Sequence, residues 1–199
     1  MTVLSTARLT LTPVAVGDMD DLTALWADAE FTRHIMGRGL SEEEVWFRLL
    51  RDIGHWQAKG YGNWSIRETT TGAYVGSVGV LDYRREIDPP FDAPELGWGV
   101  APAFQGAGLA REALEAALAW TDAYRLEPRT VCMISPENAP SVRLAERWAI
   151  APTPAPTTRD RPSTCMSVPA PDDRLTEGTR DDKLYNSGPE TAFCLLGVL

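Results

Sequence analysis

The stretch "ELGWGVAPAFQGAGLAREAL", residues 95–114, limits what this chain can fold into more than any other. Leu96, Trp98 and Val100 alternate as in a strand, Pro102 ends it, and the loop Gln105-Gly106-Ala107-Gly108 opens a helix. A strand that feeds a helix through a tight glycine loop demands a mixed α/β layer structure, with the helix packed back on the sheet. The two glycines let backbone N–H groups crowd together where the helix dipole favours negative charge. The loop is therefore an anion cradle with no basic side chain of its own.

Short glycine loops occur in several nucleotide folds, so the context decides. No G-K-[ST] follows, which removes the P-loop reading. The loop lies deep in the chain and follows a run of strands, whereas a dinucleotide-binding glycine motif follows the first strand of a βαβ unit. A tight turn with no ligand is the plain alternative.

The rest of the chain supplies the context. "ARLTLTPV" places Leu9 and Leu11 on one face of a first strand. Asp18 precedes a helix with Leu22, Leu25, Trp26 and Ala29 at helical spacing, and is expected to cap it. Ser41 and Glu44 form a capping box before a second helix, with Val45, Leu49, Ile53 and Trp56 as its stripe and Gly60 as its stop. "NWSIRE", "AYVGSVGVLDY" and "ELGWGV" then read as an antiparallel meander. A helix with Leu109, Ala113, Leu114, Ala117, Leu118 and Thr121 on one face follows, then a strand "RTVCMIS" and a last helix "NAPSVRLAERW". The order through residue 148 is β-α-α-β-β-β-α-β-α.

Charge and cysteines narrow the function. A formal net charge of -9 argues against nucleic acid and against a basic membrane patch. The 3 cysteines, Cys132, Cys165 and Cys194, form no pair at metal or disulfide-motif spacing, which predicts a reducing, cytoplasmic setting and no metal. Cys132 reads as a buried strand residue. His34 and His55 are single and far apart, and read as structural or solvent-facing rather than as metal ligands.

Gln105-Gly106-Ala107-Gly108-Leu109-Ala110, with "ARLTLTPV", "YVGSVGV", "ELGWGV" and "PENAPSVRLAER", resembles the GCN5-related N-acetyltransferases (GNAT), in particular the RimJ/RimL-like branch. The resemblance spans residues 7–147 and implies a mixed, mostly antiparallel sheet flanked by helices. It also implies direct transfer of the acetyl group of acetyl-CoA to a primary amine, that of a protein N-terminus or of a small molecule. The alternative is a GNAT-fold protein that binds acyl-CoA without turnover. The partners implied are acetyl-CoA and an amine acceptor, with a homodimer as a further possibility.

By that resemblance the N–H groups of Gly106, Ala107, Gly108, Leu109 and Ala110, beside Gln105, hold the pyrophosphate. Trp98, Gly99 and Val100 pair their backbone with the pantetheine arm, as an added strand does. The amine must be neutral to attack, since an ammonium has no lone pair, so a base is useful. Alternation puts Glu95 with Gly97 and Gly99 on one face, and Glu95 is the expected base. Where many family members have a tyrosine in the last helix, this chain has Ala145. Asn138 and Ser141 match the RimL-like pattern, the asparagine contacting the CoA arm and the serine lying near its sulfur; helix capping explains them equally well. Phe31, His34, Trp46 and Phe91 are candidates for the acceptor wall, although core packing accounts for the aromatics too.

After Trp148 the pattern is lost. Of 15 prolines, seven lie between Pro152 and Pro189. Read from the third base of the Arg147 codon, Trp148-Ala149-Ile150 forces a glycine and permits Leu-Gly-Tyr-Arg, the family's turn. Thr164-Cys165-Met166 permits a Leu-Tyr-Val strand, and Pro171-Asp172 permits a stop. The expectation is a GNAT domain over 1–148 and, over 149–199, a tail without order or an out-of-frame translation after loss of one nucleotide near codon 148. The last strands of the sheet are then missing or altered, and Leu114, Leu118 and Val142 lose their cover.

Overall fold

The computed structural model describes residues 2–87, 90–124 and 129–148, and the backbone of two later strands, 152–153 and 164–169. The order of elements is β1 (Leu4–Ser5), β2 (Leu9–Pro13), α1 (Met19–Ala27), α2 (Ala29–Thr32), α3 (Glu42–Lys59), β3 (Asn63–Glu68), β4 (Tyr74–Leu81), β5 (Glu95–Val100), α4 (Leu109–Tyr124), β6 (Arg129–Ile134), α5 (Ala139–Ala145), β7 (Pro152–Thr153) and β8 (Thr164–Pro169). The strands form one sheet in the order β1-β2-β3-β4-β5-β6-β8-β7. Every pairing is antiparallel except β5 with β6.

Helices cover both faces of the middle strands, which is why β5 is buried at all six positions. Residues directly opposite across a ladder share a face. Trp64, Val78 and Trp98 form one such row, and Trp64 meets Trp120 of α4 edge-on with ring centroids 5.2 Å apart. Ser65, Ser77 and Gly99 form the neighbouring row on the opposite face, towards the start of α1 and towards α2. Glu95, Gly97 and Gly99 thus share the α1–α3 side, as the alternation requires.

The expected stripes are largely the observed core. Leu9, Leu11, Leu22, Leu25, Trp26, Val45, Leu49 and Trp56 are buried, as is the whole expected face of α4. Ser41 and Glu44 close the capping box, and Gly60 ends α3 with a left-handed φ of 77°. Ala29 leaves the α1 stripe because Asp28 starts a separate short helix, its carboxylate accepting from the N–H groups of Glu30 and Phe31. Asp18 precedes α1 without capping it. Its buried carboxylate accepts instead from the Ala15 N–H, the Ser65 hydroxyl and Arg67, tying the helix entrance to β3.

Of the two expectations for the last strands, missing or altered, the sheet shows the second. Strands follow Trp148: β8 pairs with β6 over six residues, from Arg129 opposite Pro169 to Ile134 opposite Thr164, and β7 pairs with β8. They are altered in form, since β7 has two residues and begins with a proline, which is tolerated at the first position of an edge strand. Leu114 and Leu118 are 0% and 4% exposed and Val142 is partly buried against the core, contrary to the expectation that they lose cover; α4 packs on β2, β4 and β5. The remaining tail residues, including 170–199, lie outside the described residues.

Candidate acyl-transfer site

β5 pairs with β4 along its whole length but with β6 at one register position, Glu95 opposite Val131, beside a hydrogen bond from the Val131 N–H to the Pro94 carbonyl of 2.9 Å. β6 then turns to β8. Among the described residues, Leu96–Val100 therefore has no strand partner on its β6 side. The sheet opens there, and an extended ligand arm finds free backbone groups along the gap.

The glycine loop closes one end of this gap. Gly106 and Gly108 both adopt left-handed φ, 77° and 76°, which side-chain-bearing residues resist. The Gln105 side chain donates to the Val100 carbonyl at 3.1 Å and pins the loop to the end of β5. From the other side Arg8 at the start of β2 donates from Nη1 to the Ala107 carbonyl at 2.9 Å and from Nε to Glu112 in the first turn of α4 at 2.7 Å. Glu112 also receives the Arg8 N–H and the Thr6 hydroxyl. Two elements far apart in sequence thus hold the cradle in shape.

Loop and gap open into one cavity of about 680 Å³. Trp98, Gly99, Val100, Gln105, Gly106, Gly108, Leu109, Ala110, Asn138 and Ser141 line it, which brings together every expected cofactor position except Ala107, and Ser141 with them. Ala107 turns its carbonyl to Arg8 instead. Asn138 caps α5 by accepting from the Ser141 N–H at 3.3 Å, so the capping expected of it is present while both side chains border the cavity. Arg33, Arg111, Arg143 and Arg147 also line it, against the carboxylates of Glu30 and Glu137. A cationic cavity in a chain of net charge -9 is a local arrangement suited to a polyanionic ligand.

Glu95 stands apart from the lining. It is 2% exposed, and Arg85 grips both its oxygens, Nε to Oε2 at 2.7 Å and Nη2 to Oε1 at 2.9 Å. Burial lifts its carboxyl above the usual range and Arg85 pulls the other way, leaving it raised overall. A proton that Glu95 took from an acceptor would have to compete with this ion pair. The same guanidinium stacks over Tyr83, whose hydroxyl donates to Asp52 of α3, and Asp52 also holds Asn63. The Glu95 side of β5 is thus filled by a polar network.

Phe31 and His34 lie in the cavity wall. Phe31 packs so closely on Gly99 that a Cβ there would fall 2.8 Å from its ring. Trp46, 38% exposed on α3, and Phe91, packed against the core, do not line it. Cys132 is buried in β6, and burial pushes its thiol up. Sequence reasoning missed Arg8, Arg85 and the arginines of the cavity, because only the fold brings residue 8 to residue 107 and residue 85 to residue 95. No helix among the described residues is long and apolar enough to cross a membrane.

Residues 8–148 match the acetyltransferase (GNAT) domain family. The chain is 26% identical over 145 residues to p20 of Bacillus licheniformis, an uncharacterized N-acetyltransferase, across 72% of this chain and 79% of that one. A GnaT-family acetyltransferase from Bordetella pertussis superposes with a TM-score of 0.72 at 32% identity, covering 84% of this chain and 99% of that one. The ribosomal L7/L12 α-N-protein acetyltransferase RimL, solved with coenzyme A, shares the fold with a TM-score of 0.67 at 14% identity, over 85% of this chain and 98% of its own. With the cradle, the open strand pair and this match over residues 8–148 agreeing, the chain belongs to the GNAT acetyltransferase family.

Proposed function

We propose that the protein transfers the acetyl group of acetyl-CoA directly to a primary amine. The observation that carries this reading is the single cavity joining the left-handed glycine loop to the unpaired side of β5. The N–H groups of residues 106–110 take the pyrophosphate at the start of α4, a 16-residue helix whose dipole favours the charge. The pantetheine arm lies along Trp98, Gly99 and Val100, which directs the thioester into the gap. A backbone N–H there stabilises the tetrahedral oxyanion, and Ser141, beside Asn138, meets the departing sulfur. The arginines of the cavity offset the remaining phosphate charge.

Thermal shift with acetyl-CoA, followed by thiol release with a panel of amines, tests the proposal. The panel contains an N-terminal serine peptide, lysine amide, spermidine and kanamycin. Stabilisation by acetyl-CoA and amine-dependent thiol release are expected. Stabilisation without release from any amine favours an acyl-CoA-binding protein, and the lack of any shift overturns the site itself. A cytoplasmic location and a homodimer belong to the same proposal and are checked by cell fractionation and by light scattering.

A further inference from the structure

Acetyl transfer is assisted by a group that removes a proton from the acceptor ammonium inside the cavity. Arginine side chains there cannot serve, since they stay protonated. Glu30 and Glu137 line the cavity but are exposed, and Glu95 lies outside it, gripped by Arg85. His34 differs from all of these. It follows α2 in a turn held by the Thr32 carbonyl, which accepts from the N–H groups of Ile35, Met36 and Gly37. It is half-buried in the cavity wall, three residues after the Phe31 that packs on Gly99. Neither ring nitrogen has a hydrogen-bond or ion-pair partner among the described residues. Imidazole is also the side chain best suited to exchanging a proton near neutrality.

We propose that His34 is the catalytic base that takes the acceptor's proton, an assignment that rests on the acetyltransferase reading above. The neutral imidazole takes one proton from the ammonium and frees the nitrogen lone pair. That nitrogen attacks the thioester carbonyl carbon, forming the C–N bond and placing the negative charge on oxygen. Collapse breaks the C–S bond, and the second proton on nitrogen leaves with the sulfur as CoA thiol. His34 then returns its proton to solvent. Glu30 and Arg33 beside it, Arg111 from α4, and Glu137, Arg143 and Arg147 from α5 are the charged groups that share its cavity.

Bromoacetyl-CoA tests the position of His34 without any knowledge of the natural acceptor. An imidazole nitrogen beside the acyl group displaces bromide from the methylene carbon, so peptide mass mapping is expected to find the adduct on His34. Using the amine turned over fastest in the panel, His34→Gln is expected to lower kcat/KM roughly a hundredfold or more. The KM for acetyl-CoA should hold, and the acidic limb of the pH–rate profile should disappear. The proposal is overturned if the label lands elsewhere. It is equally overturned if Glu95→Gln removes that limb while His34→Gln keeps it. Absence of any acetyl-CoA thermal shift is a separate failure, that of the acetyltransferase reading, and it takes the role of His34 with it.

Discussion

Glu95 illustrates what a single residue can and cannot announce. Its place on β5 and the face it shares with Gly97 and Gly99 follow from alternation alone, yet its chemistry depends on Arg85, ten residues earlier. Removing one partner of a buried ion pair leaves the other charged in a poor solvent. Arg85→Ala should therefore cost about 3 kcal/mol or more near pH 8. The loss has a definite pH sign. Without Arg85, burial acts on Glu95 against only the weaker pull of Arg51 and holds its folded pKa above the unfolded one, so the folded state retains a proton that the unfolded state releases. Stability lost at high pH should return as pH falls through the folded pKa. Tm measured from pH 8 to pH 5 for the variant and the parent checks this, and parallel curves would contradict it. Gly76 makes the same point sterically. Its φ of 148° and the Gly99 carbonyl, 2.1 Å from where a Cβ would sit, are products of how β4 meets β5.

At the scale of elements, α3 was legible from both ends. The capping box starts it and Gly60 stops it, each by local chemistry. What its inner face does was not legible. His55, for which the sequence leaves a structural or a solvent-facing place open, is buried and joins α3 to the chain on either side of the β3–β4 hairpin. Its Nδ1–H donates to the Tyr61 carbonyl at 2.7 Å, and its Nε2 accepts the Asp82 N–H at 2.9 Å. Only the neutral ring can do both. Burial holds its pKa below the ordinary imidazole value, although Tyr61, Asp52 and Asp82 oppose the shift and Lys59 adds to it. Below about pH 6.5 the unfolded chain takes up a proton that the folded chain refuses. Tm should thus fall between pH 7 and pH 5, and His55→Gln should flatten that part of the curve. An unchanged slope in the variant would remove His55 as the cause.

For the whole molecule, the late strands decide how the sheet ends. β8 covers the edge of β6 over six register pairs, and without it that edge offers unpaired backbone to other chains. The proposed division at residue 148 and the proposed loss of one nucleotide near that codon meet in one experiment. A chain ending at residue 148 should aggregate more than the chain of 199 residues, by size-exclusion chromatography at equal concentration. A version with one nucleotide restored at codon 148 should have the highest Tm of the three, since the restored frame permits Leu-Gly-Tyr-Arg in place of Trp148-Ala149-Ile150-Ala151 and no longer reads the proline run that follows. If the restored chain is no more stable, and sequencing of the template shows an uninterrupted frame, the frameshift is excluded.

By itself the sequence determined whatever depends on neighbours along the chain: the alternation of β2 and β5, the stripes of α3 and α4, the capping box, and the glycine loop at the start of α4. These are short-range preferences of backbone and side chain, and they made the family legible because its signature is itself local. Tertiary structure alone decided the rest. It set the parting of β5 from β6, the Arg8 brace on the loop, the ion pair that encloses Glu95 and the arrival of His34 in the cavity wall. Each of these joins groups from separate elements, and such contacts are fixed by packing, which no local pattern encodes.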